Sequence, residues 1–492
     1  MSTTELLRRE WAAFRRPGRL IALGAAALAV IALALLSASG VQVSCAGPCP
    51  AVPIARDGSL VADRFWFLHR DLGREGAITV RMTSMTGTIT YPPPDHDQIV
   101  PGLVPWAKAG IIVKDGLRQG SPYAALLMTG SHGVRFQYDY EHDVAGDAGG
   151  VSERSPRWLR LTRSGDTISG AESADGAKWR TVATARLDGL PDTVQVGLFA
   201  TSPGDLTLRP VGLGGAVEEV RFTQAVGVFD HVAVQGGAPG AWHSDAVGGM
   251  NHTDWEKYHN ASGAVEKDGV ITVSGTGDIG PAREEGAPIS VLSGLVVALI
   301  IVLVVAARFG ARTGREVVSR RVRAARAALA AAAAFLTGLV GVGVAFPAGT
   351  AILRGKGVPV PVPTDTGIQV IAGLAAVLAL CAVLAYGLGV WLRRGWAAIV
   401  IGLSLVALPY AVTAVPLLPD AVAEWLLRLT PAAAFAVQQT VAEHPQVTAH
   451  YAPSAGYYPL PWWAGLAVLV AYTVIAMRAA LGRRPAGDTG PR

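Results

Sequence analysis

The chain has 492 residues, of which 51% are hydrophobic and only 16% are charged. An average soluble domain has about 25% charged residues, so this composition excludes a wholly soluble globular protein. The formal net charge of +5 reflects arginines that flank apolar segments, and we do not interpret it as a sign of nucleic-acid binding.

The apolar residues are concentrated in separate segments. Each segment is close to the ~17–25 residues that a helix needs to cross a bilayer. Because lipid offers the backbone no hydrogen-bond partners, each is predicted to cross as a helix. None contains Asp, Glu, Lys or Arg, which argues against an ion-coupled carrier. The six segments are 20–40, 291–307, 327–346, 368–392, 396–416 and 463–477.

Arginines decide the predicted orientation. They precede the first segment and fill the gaps after the second, the fourth and the sixth, while the short gaps after the third and the fifth carry few positive charges. Positive residues favour the cytoplasmic side, so both termini of this multi-pass protein of the cell membrane are predicted to be cytoplasmic. The cytoplasmic parts include the amphipathic segment 1–19 and the tail 483–492. The region 41–287 is then extracellular.

The first apolar segment has a second interpretation as a cleaved signal peptide, because the small residues Ser37-Ala38-Ser39 lie at its end. Its apolar core is longer than that of a usual signal peptide, which favours a retained anchor. Just beyond it, Cys45 and Cys49 lie close together on the side predicted to be oxidising. A short disulfide loop is favoured there over two free thiols.

The region 41–287 is predicted to be an all-β sandwich. Short alternating runs such as 78–82 and 133–138 are separated by turns such as 164–166, and strands recur at about 8–12 residues. The predicted fold is therefore a polytopic α-helical membrane protein with six transmembrane helices. The sandwich is inserted between helices one and two, and 288–482 forms a five-helix transmembrane block.

Four motifs in this region resemble concanavalin-like (laminin-G-like) β-sandwiches over about residues 60–234. The motifs are 106–111, 158–161, 179–182 and 196–199. The resemblance implies binding of a glycan or a protein, although the fold does not dictate a ligand. Tryptophan in a sandwich is more often part of the core than a platform for sugars. That is the expectation for Trp106, Trp158, Trp179, Trp242 and Trp255.

Three clusters of acidic residues and histidines raise the question of a metal site. None has a recognised ligand spacing, so solvated loop residues are the favoured interpretation, and no metal or other cofactor is predicted. The clusters are Asp95-His96-Asp97, Glu141-His142-Asp143, and the scattered His243, Asp245, His252, Asp254 and His259.

The sequence lacks a nucleotide-hydrolysing motif of the P-loop type. Such a motif needs a glycine-rich turn and a Lys followed by Ser or Thr, which together hold phosphates and magnesium. We therefore predict that the chain is not an enzyme and that any ATP-driven role needs a partner. None of the lysines has the required context: Lys108, Lys114, Lys178, Lys257, Lys267 and Lys356.

The helical part contains the motifs 346–355 (FPAGTAILRG), 408–410 (LPY), 423–436 and 455–460. With the first apolar segment and about residues 290–484, they resemble the permease of a type-2 ATP-binding-cassette exporter of actinobacterial style. The resemblance implies a separate cassette ATPase subunit, a homodimer or heterodimer of permease subunits, contact with membrane lipid, and export of an unidentified substrate. A hydrophobic substrate is compatible with the apolar walls.

The same resemblance implies that the cytoplasmic stretch 308–326 contacts the ATPase and transmits its closure. Glu316 takes the matching acidic position, with Arg315, Arg320 and Arg321 around it. Relatives continue with a Gly and a Pro-containing basic turn, both of which are missing here. The alternative interpretation is that these arginines only set the membrane topology.

Two other classes of function stay open. One is a membrane-anchored glycan- or protein-binding or sensing protein, with the lectin-like extracellular domain as its working part. The other is a membrane-embedded enzyme, which the absence of charged residues from the apolar segments disfavours.

Overall fold

A computed structural model describes most of the chain. Cys45, Cys49, the Asp95-His96-Asp97 cluster and the tail 483–492 lie outside the described residues, so the disulfide stays a prediction. The described residues are 3–42, 52–91, 98–236, 240–251, 254–259, 261–282, 292, 294–358, 360, 362, 364–440 and 442–482.

Two helices precede the first strand in the described part of the chain. Helix α1 (Thr3–Phe14) buries Glu10 and Phe14, which lie four residues apart on one helix face, while Trp11 is 40% exposed. Residues 3–14 of the predicted amphipathic segment 1–19 therefore form a helix with one buried face. Helix α2 (Pro17–Gly40) begins with Pro17, whose fixed φ and missing N–H suit the first helical position.

An all-β domain follows α2, and one short helix, α3 (Asp254–His259), lies near its end. Its described strands are β1 (Val61–Asp63), β2 (Phe65–Leu72), β3 (Glu75–Thr90), β4 (Ile99–Pro101), β5 (Lys108–Lys114), β6 (Tyr123–Thr129), β7 (Val134–Tyr138), β8 (His142–Ala145), β9 (Arg157–Ser164), β10 (Thr167–Ser173), β11 (Arg180–Arg186), β12 (Val194–Thr201), β13 (Asp205–Val211), β14 (Gly215–Gln235), β15 (His243–Val247), β16 (Gly263–Lys267), β17 (Val270–Gly275) and β18 (Ile279–Pro281).

Two antiparallel sheets form the predicted sandwich. One has seven strands in the order β15-β2-β12-β5-β6-β7-β8. The other has nine strands, with β11-β10-β9-β3-β14-β17-β16 as its main path, β4 paired with β3, and β13 paired with β14. Strands β1 and β18 form a separate pair.

The sandwich core contains side chains from both sheets. Val80 and Leu161 come from the nine-stranded sheet, and Ile111 and Leu198 come from the seven-stranded sheet. The outer face of the seven-stranded sheet is also covered, and Phe67 is fully buried there. Strands β5 and β6 are therefore buried along their whole length. Burial on both faces explains why their sequences do not alternate clearly between apolar and polar residues.

In the described residues, five long helices and one shorter helix form the C-terminal block, which we call the helical block. A π-helical turn, Leu403–Ala407, lies within the long helix Gly395–Thr413, and a buried 3₁₀ helix, Pro431–Gln438, follows the short helix Asp420–Leu429. With α2, six helices in the described residues are long and apolar enough to cross a membrane. The block contains α4 (Leu295–Arg315), α5 (Arg320–Gly355), α6 (Thr364–Leu392), α7 (Gly395–Thr413), α8 (Asp420–Leu429) and α9 (Trp462–Gly482).

Helices α4 and α5 extend beyond their apolar segments. Because α4 continues to Arg315 and α5 begins at Arg320, only residues 316–319 separate them. The stretch 308–326 is thus mostly helical. Helix α5 also continues through Pro347 to Gly355, so the motif 346–355 is helical. Hydropathy locates the lipid-compatible part of a helix, whereas Ala and Arg favour helix beyond it.

The β domain contacts the helical block at the end where α7 finishes and α8 begins. At the tip of the β13–β14 hairpin, the Leu213 N–H donates to the Leu417 carbonyl over 2.9 Å. The Gln446 side-chain amide donates to the Glu141 carbonyl over 3.0 Å. Helix α4 ends and α5 begins at the opposite end of the helices.

Candidate functional site

The four residues predicted to contact an ATPase lie together where α4 meets α5. Arg315 ends α4, and Glu316 is its C-cap residue in an extended conformation. Arg320 and Arg321 begin α5 behind the N-cap residue Ser319. We call residues 315–321 the junction.

A buried arginine, Arg326, joins the junction to helix α1. Its Nε donates to Glu10 Oε2 over 2.7 Å, and the two side chains are only 11% and 8% exposed. Its Nη1 donates to the Glu316 carboxylate and, over 3.2 Å, to the Thr313 hydroxyl. One guanidinium therefore pairs with two carboxylates from different parts of the chain, which is the pairing that a buried charge requires.

The start of α2 packs against the same region. The Arg19 guanidinium lies 4.3 Å from the centroid of the Phe309 ring. It also donates to the carbonyls of Ala13 and Phe14 at the end of α1. The Phe14 and Phe309 rings meet edge to face, with 5.2 Å between their centroids. Cation–π, hydrogen-bond and aromatic contacts thus hold α1 and α2 against α4.

Two further arginines connect this region to other helices. Arg323 is 3% exposed, and its Nη1 donates to the Ala480 carbonyl of α9 over 3.0 Å. The Tyr386 hydroxyl of α6 donates to the Arg323 carbonyl over 3.1 Å. Arg315 Nε donates to the carbonyl of Arg393, in the turn between α6 and α7, over 3.0 Å. These hydrogen bonds connect the start of α5 to α6 and α9, and the end of α4 to the turn between α6 and α7.

The junction has a solvent-exposed surface. Val317 is 73% exposed, and Arg315, Arg320 and Arg321 are exposed as well. The positive-inside effect explains exposed arginines, but it requires no buried partner for Arg326. An exposed surface over a buried ion-pair network can both receive a partner and transmit its movement.

Sequence reasoning missed Glu10, Arg323 and Arg326 as members of this cluster. A signal was present in α1, where Glu10 and Phe14 share the buried face of a basic helix. An acidic residue on a buried face needs a cationic partner. The partner itself could not be identified, because several arginines of 308–326 qualify by charge alone.

The β domain contains two buried lysine–carboxylate pairs that are not evident from the sequence. Both lysines lie on β5 and have fully buried side chains. Lys114 Nζ is 2.7 Å from Asp63 Oδ2, and Lys108 pairs with Asp278. Burial lowers the pKa of Lys114, and the Asp63 carboxylate opposes this shift. These pairs attach the segments around β1 and β18 to the outer face of the seven-stranded sheet.

A cavity of about 430 Å³ lies beside these pairs. Asp63 and Gln119 of the β domain line it together with Val447 and Thr448 from the segment before α9. Asp63 Oδ1 is buried and has no hydrogen-bond partner in the described structure. A small molecule in this cavity would contact the β domain and the helical block at once. We call it the interdomain cavity.

Members of the acidic and histidine clusters contact neighbouring side chains. Asp143 pairs with Arg135, and His142 stacks on Tyr138 with 4.2 Å between ring centroids. Asp245 Oδ2 lies 3.0 Å from Nε2 of the buried His69. Within the described ranges, no group of three or more His, Cys, Asp or Glu side chains is arranged to hold a metal ion.

The tryptophans are less buried than the sequence predicts. Trp106 is 7% exposed and belongs to the interior, whereas Trp158, Trp179 and Trp242 are half-buried. Each of these four faces an arginine, and the closest approach is 3.8 Å, from Arg160 Cζ to the Trp179 ring centroid. The core expectation is confirmed for Trp106, and the half-buried Trp242 packs against the edge of the sandwich core. The Trp255 side chain lies outside the described part of the chain.

Comparison with known proteins gives no assignment of family. No protein-family model matches the chain, and no curated protein matches it. Among solved structures, a functionally unknown protein from Saccharomyces cerevisiae is 17% identical, with 35% of this chain and 75% of that protein covered and a TM-score of 0.22.

Two enzymes show similarly weak likeness. A scytalido-glutamic peptidase is 10% identical, with 44% of this chain and 98% of the peptidase covered, at a TM-score of 0.27. The GH43 protein BlXynB from Bacillus licheniformis is 13% identical, with 35% of this chain and 33% of BlXynB covered and a TM-score of 0.20. Likeness at this level carries no argument about the activity of this chain.

Proposed function

We propose that the chain is the membrane-spanning permease subunit of an ATP-binding-cassette exporter. A separate ATPase subunit supplies the energy, and the substrate moves out of the cell. The apolar helices favour a hydrophobic substrate. The junction carries this proposal. Its surface is exposed to solvent, and Arg326 connects it to α1. A surface that receives a push from a partner needs both properties.

Aromatic residues near both ends of the apolar helices support membrane insertion. Trp391 and Trp396 are exposed at the junction end, and Trp425, Trp462 and Trp463 are exposed at the β-domain end. Tryptophan is enriched at both membrane–water interfaces, and arginine at the cytoplasmic one. The proposed orientation therefore has the junction and both termini in the cytoplasm and the β domain outside the cell.

In the proposed mechanism, two permease subunits, identical or related, enclose a pathway that opens alternately to the two sides. ATP-driven closure of the ATPase subunits presses on the junction. The Glu10–Arg326–Glu316 contacts carry this movement to α1, and the Arg323–Ala480 contact carries it to α9. The helix ends then shift together.

Affinity purification of the detergent-solubilised chain from its native host, followed by mass spectrometry, tests this proposal. We expect a stoichiometric cassette ATPase to co-purify. The triple variant Val317→Ser/Arg320→Ala/Arg321→Ala should retain less than about a tenth of it, because about 1.4 kcal/mol of lost contact lowers affinity tenfold. The control Arg478→Ala removes an exposed arginine near the end of α9 and should retain the ATPase. Reproducible absence of an ATPase from the unchanged protein would overturn the proposal.

The interdomain cavity favours a second candidate function. In this candidate, the chain is a membrane-anchored protein that binds or senses a glycan or a protein through the β domain. The helical block then anchors the β domain in the membrane and responds when a ligand fills the interdomain cavity. Specific glycan binding by the full-length chain, with no ATPase co-purifying, would favour this function over export.

A further inference from the structure

A second cavity, of about 500 Å³, lies at the β-domain end of the helical block. It is formed where α6 begins, where the 3₁₀ helix Pro431–Gln438 ends, and where α9 begins. We call it the outer polar cavity. Side chains that line it include Thr366, Gln369, Gln439, Thr440, Tyr457 and Trp462.

Gln369 distinguishes this cavity from an ordinary gap between helices. It lies in the second turn of α6 and is half-buried. Its amide makes no hydrogen bond with any part of the chain that the structure describes. No charged or amide residue follows it in α6, and the neighbouring Ile368 is 62% exposed. A half-buried amide without a described partner is available to hydrogen-bond a ligand in the cavity.

Other polar groups converge on Gln369. Thr366 precedes it by three residues and therefore lies on the same helix face. Gln439 and Thr440 approach from the end of the 3₁₀ helix, where Gln439 Oε1 accepts a hydrogen bond from the Tyr458 N–H over 3.0 Å. Two amides and two hydroxyls therefore line the cavity, and the Gln369 amide by itself offers both a donor and an acceptor.

A buried network makes one wall of the cavity rigid. Gln438 Nε2 donates to the Tyr410 hydroxyl over 3.3 Å and also to the Tyr458 hydroxyl. The Tyr410 ring stacks on Phe435 with 4.0 Å between the centroids. All four residues are 6% exposed or less. The wall is thus formed before any ligand arrives, as is usual for small-molecule sites.

The lining residues that the structure describes carry no charge. The Tyr457 hydroxyl donates to Glu443 Oε2 over 2.9 Å. Burial is the larger cause, and this hydrogen bond the second, of the rise in the pKa of Tyr457 to about 12. Trp462, 45% exposed, adds an aromatic face at the edge. Uncharged donors and acceptors beside an aromatic ring suit a hydroxyl-rich ligand, because a hydroxyl both donates and accepts. A phosphate group would meet no cationic side chain in the described lining.

We infer that the outer polar cavity binds the uncharged, hydroxyl-rich headgroup of an amphiphile, whose apolar part lies along exposed Ile368 and Trp463. The inference rests on the proposed function in one respect: α6 and α9 cross a membrane, which puts the cavity at the level of the outer headgroups. In an exporter, this is the side on which a substrate leaves.

Native mass spectrometry of the full-length protein in tetraethylene glycol monooctyl ether, a detergent without a sugar, tests the inference. The probes are a monoglucosyl diacylglycerol, a phosphatidylglycerol and a phosphatidylcholine with identical acyl chains, and methyl glucoside. We expect the glucosyl lipid to bind about tenfold more tightly than each of the other three, which corresponds to about 1.4 kcal/mol.

Three variants assign the binding to the cavity. Gln369→Leu removes the amide at similar size and should weaken glucosyl-lipid binding about threefold to tenfold, the range for loss of one neutral hydrogen bond. Gln369→Asn keeps an amide and should restore part of the affinity. The matched control Gln235→Leu changes an exposed glutamine at the end of β14 and should bind like the unchanged protein.

Equal affinity for the glucosyl lipid and either phospholipid would overturn the assignment of an uncharged headgroup. Equal affinity for methyl glucoside would overturn the assignment of an amphiphile. Unchanged binding by Gln369→Leu would place the ligand elsewhere. None of these measurements involves an ATPase, so their failure is distinguishable from failure of the exporter proposal, in which no ATPase co-purifies.

Discussion

At the scale of single residues, Arg326 connects most of the proposed transmission path. Its guanidinium lies between carboxylates of α1 and of the junction, and its side chain is 11% exposed. Removing it would leave the Glu10 carboxylate, only 8% exposed, without its cation. An uncompensated buried charge costs roughly 3–5 kcal/mol. Because Glu10 belongs to α1, that cost should weaken the docking of this helix.

We expect Arg326→Met to release α1 from the helical block. The measurement is hydrogen–deuterium exchange of the amides in residues 3–14 of the detergent-solubilised protein. Exchange should accelerate roughly a hundredfold, which corresponds to about 3 kcal/mol. Arg320→Met removes an exposed arginine of the same helix and should leave α1 unchanged. Equal protection of α1 in both variants would contradict the proposed role of Arg326.

The buried Lys114–Asp63 pair of the β domain gives a second prediction. Lys114→Met should lower the free energy of unfolding of this domain by roughly 3–5 kcal/mol, because Asp63 would keep only uncharged donors, the Tyr140 hydroxyl and the Gly120 N–H. Denaturant unfolding followed by tryptophan fluorescence measures the change. The double variant Asp63→Asn/Lys114→Met should recover part of the loss, and a double variant as unstable as the single one would contradict the pairing.

The sequence predicts the position of Glu316 and its neighbouring arginines, because charged residues between two apolar segments must lie outside the bilayer. It does not predict the partner of Glu10. Glu10 and Arg326 are 316 residues apart, and only the packing of α1 against α5 brings them together. The polar character of the outer cavity has the same origin, since Gln369 and Gln439 come from separate elements.

At the scale of elements, glycines set how closely the helices pack. A Cβ atom built on Gly389 of α6 would lie 2.4 Å from the Ala307 carbonyl oxygen of α4. One built on Gly310 of α4 would lie 2.1 Å from the Tyr386 carbonyl oxygen of α6. Backbone cannot yield as the end of a side chain can, so these two helices touch through their glycines.

Gly389→Ala should therefore destabilise the protein, and Gly24→Ala should not. A Cβ atom at Gly24 of α2 meets nothing within 4 Å, and alanine favours helix over glycine by about 1 kcal/mol. Thermal unfolding in detergent should show a lower midpoint for Gly389→Ala and an unchanged or higher one for Gly24→Ala. Similar midpoints for the two variants would contradict the close approach of α4 and α6.

Element types follow from sequence patterns better than element ends do. A continuous apolar segment long enough to cross a bilayer predicts a long helix. Short runs that alternate between apolar and polar residues predict the strands of the sandwich. The ends depend on backbone bonding that hydropathy does not report. Helix α5 is 36 residues long, for example, and includes Pro347.

At the scale of the whole molecule, the junction and the β domain lie at opposite ends of the helices. This arrangement predicts opposite accessibility for exposed arginines at the two ends. A cysteine at Arg154, in the β domain, should react with a membrane-impermeant maleimide on intact cells. A cysteine at Arg321 should react only after permeabilisation, and the unchanged protein controls for its native cysteines. Labelling of position 321 on intact cells would contradict the proposed orientation.

The order of the domains can be predicted from the sequence, because one polar region separates the first apolar segment from the other five. The position of the β domain on the helical block cannot be predicted in this way. It depends on loop contacts such as Leu213 to Leu417 and Gln446 to Glu141, whose residues have no periodicity that would indicate their partners. The interdomain cavity arises from the same loops.

Photocrosslinking at the junction tests the exporter proposal most directly. Benzoylphenylalanine would replace Val317 in the full-length chain, expressed in its native host, and mass spectrometry would identify the adducts. The proposal predicts an adduct with a cassette ATPase from position 317 and none from the control position Val265, which is 67% exposed in the β domain. Reproducible absence of an ATPase adduct at position 317, with the protein folded and in the membrane, would contradict the proposal.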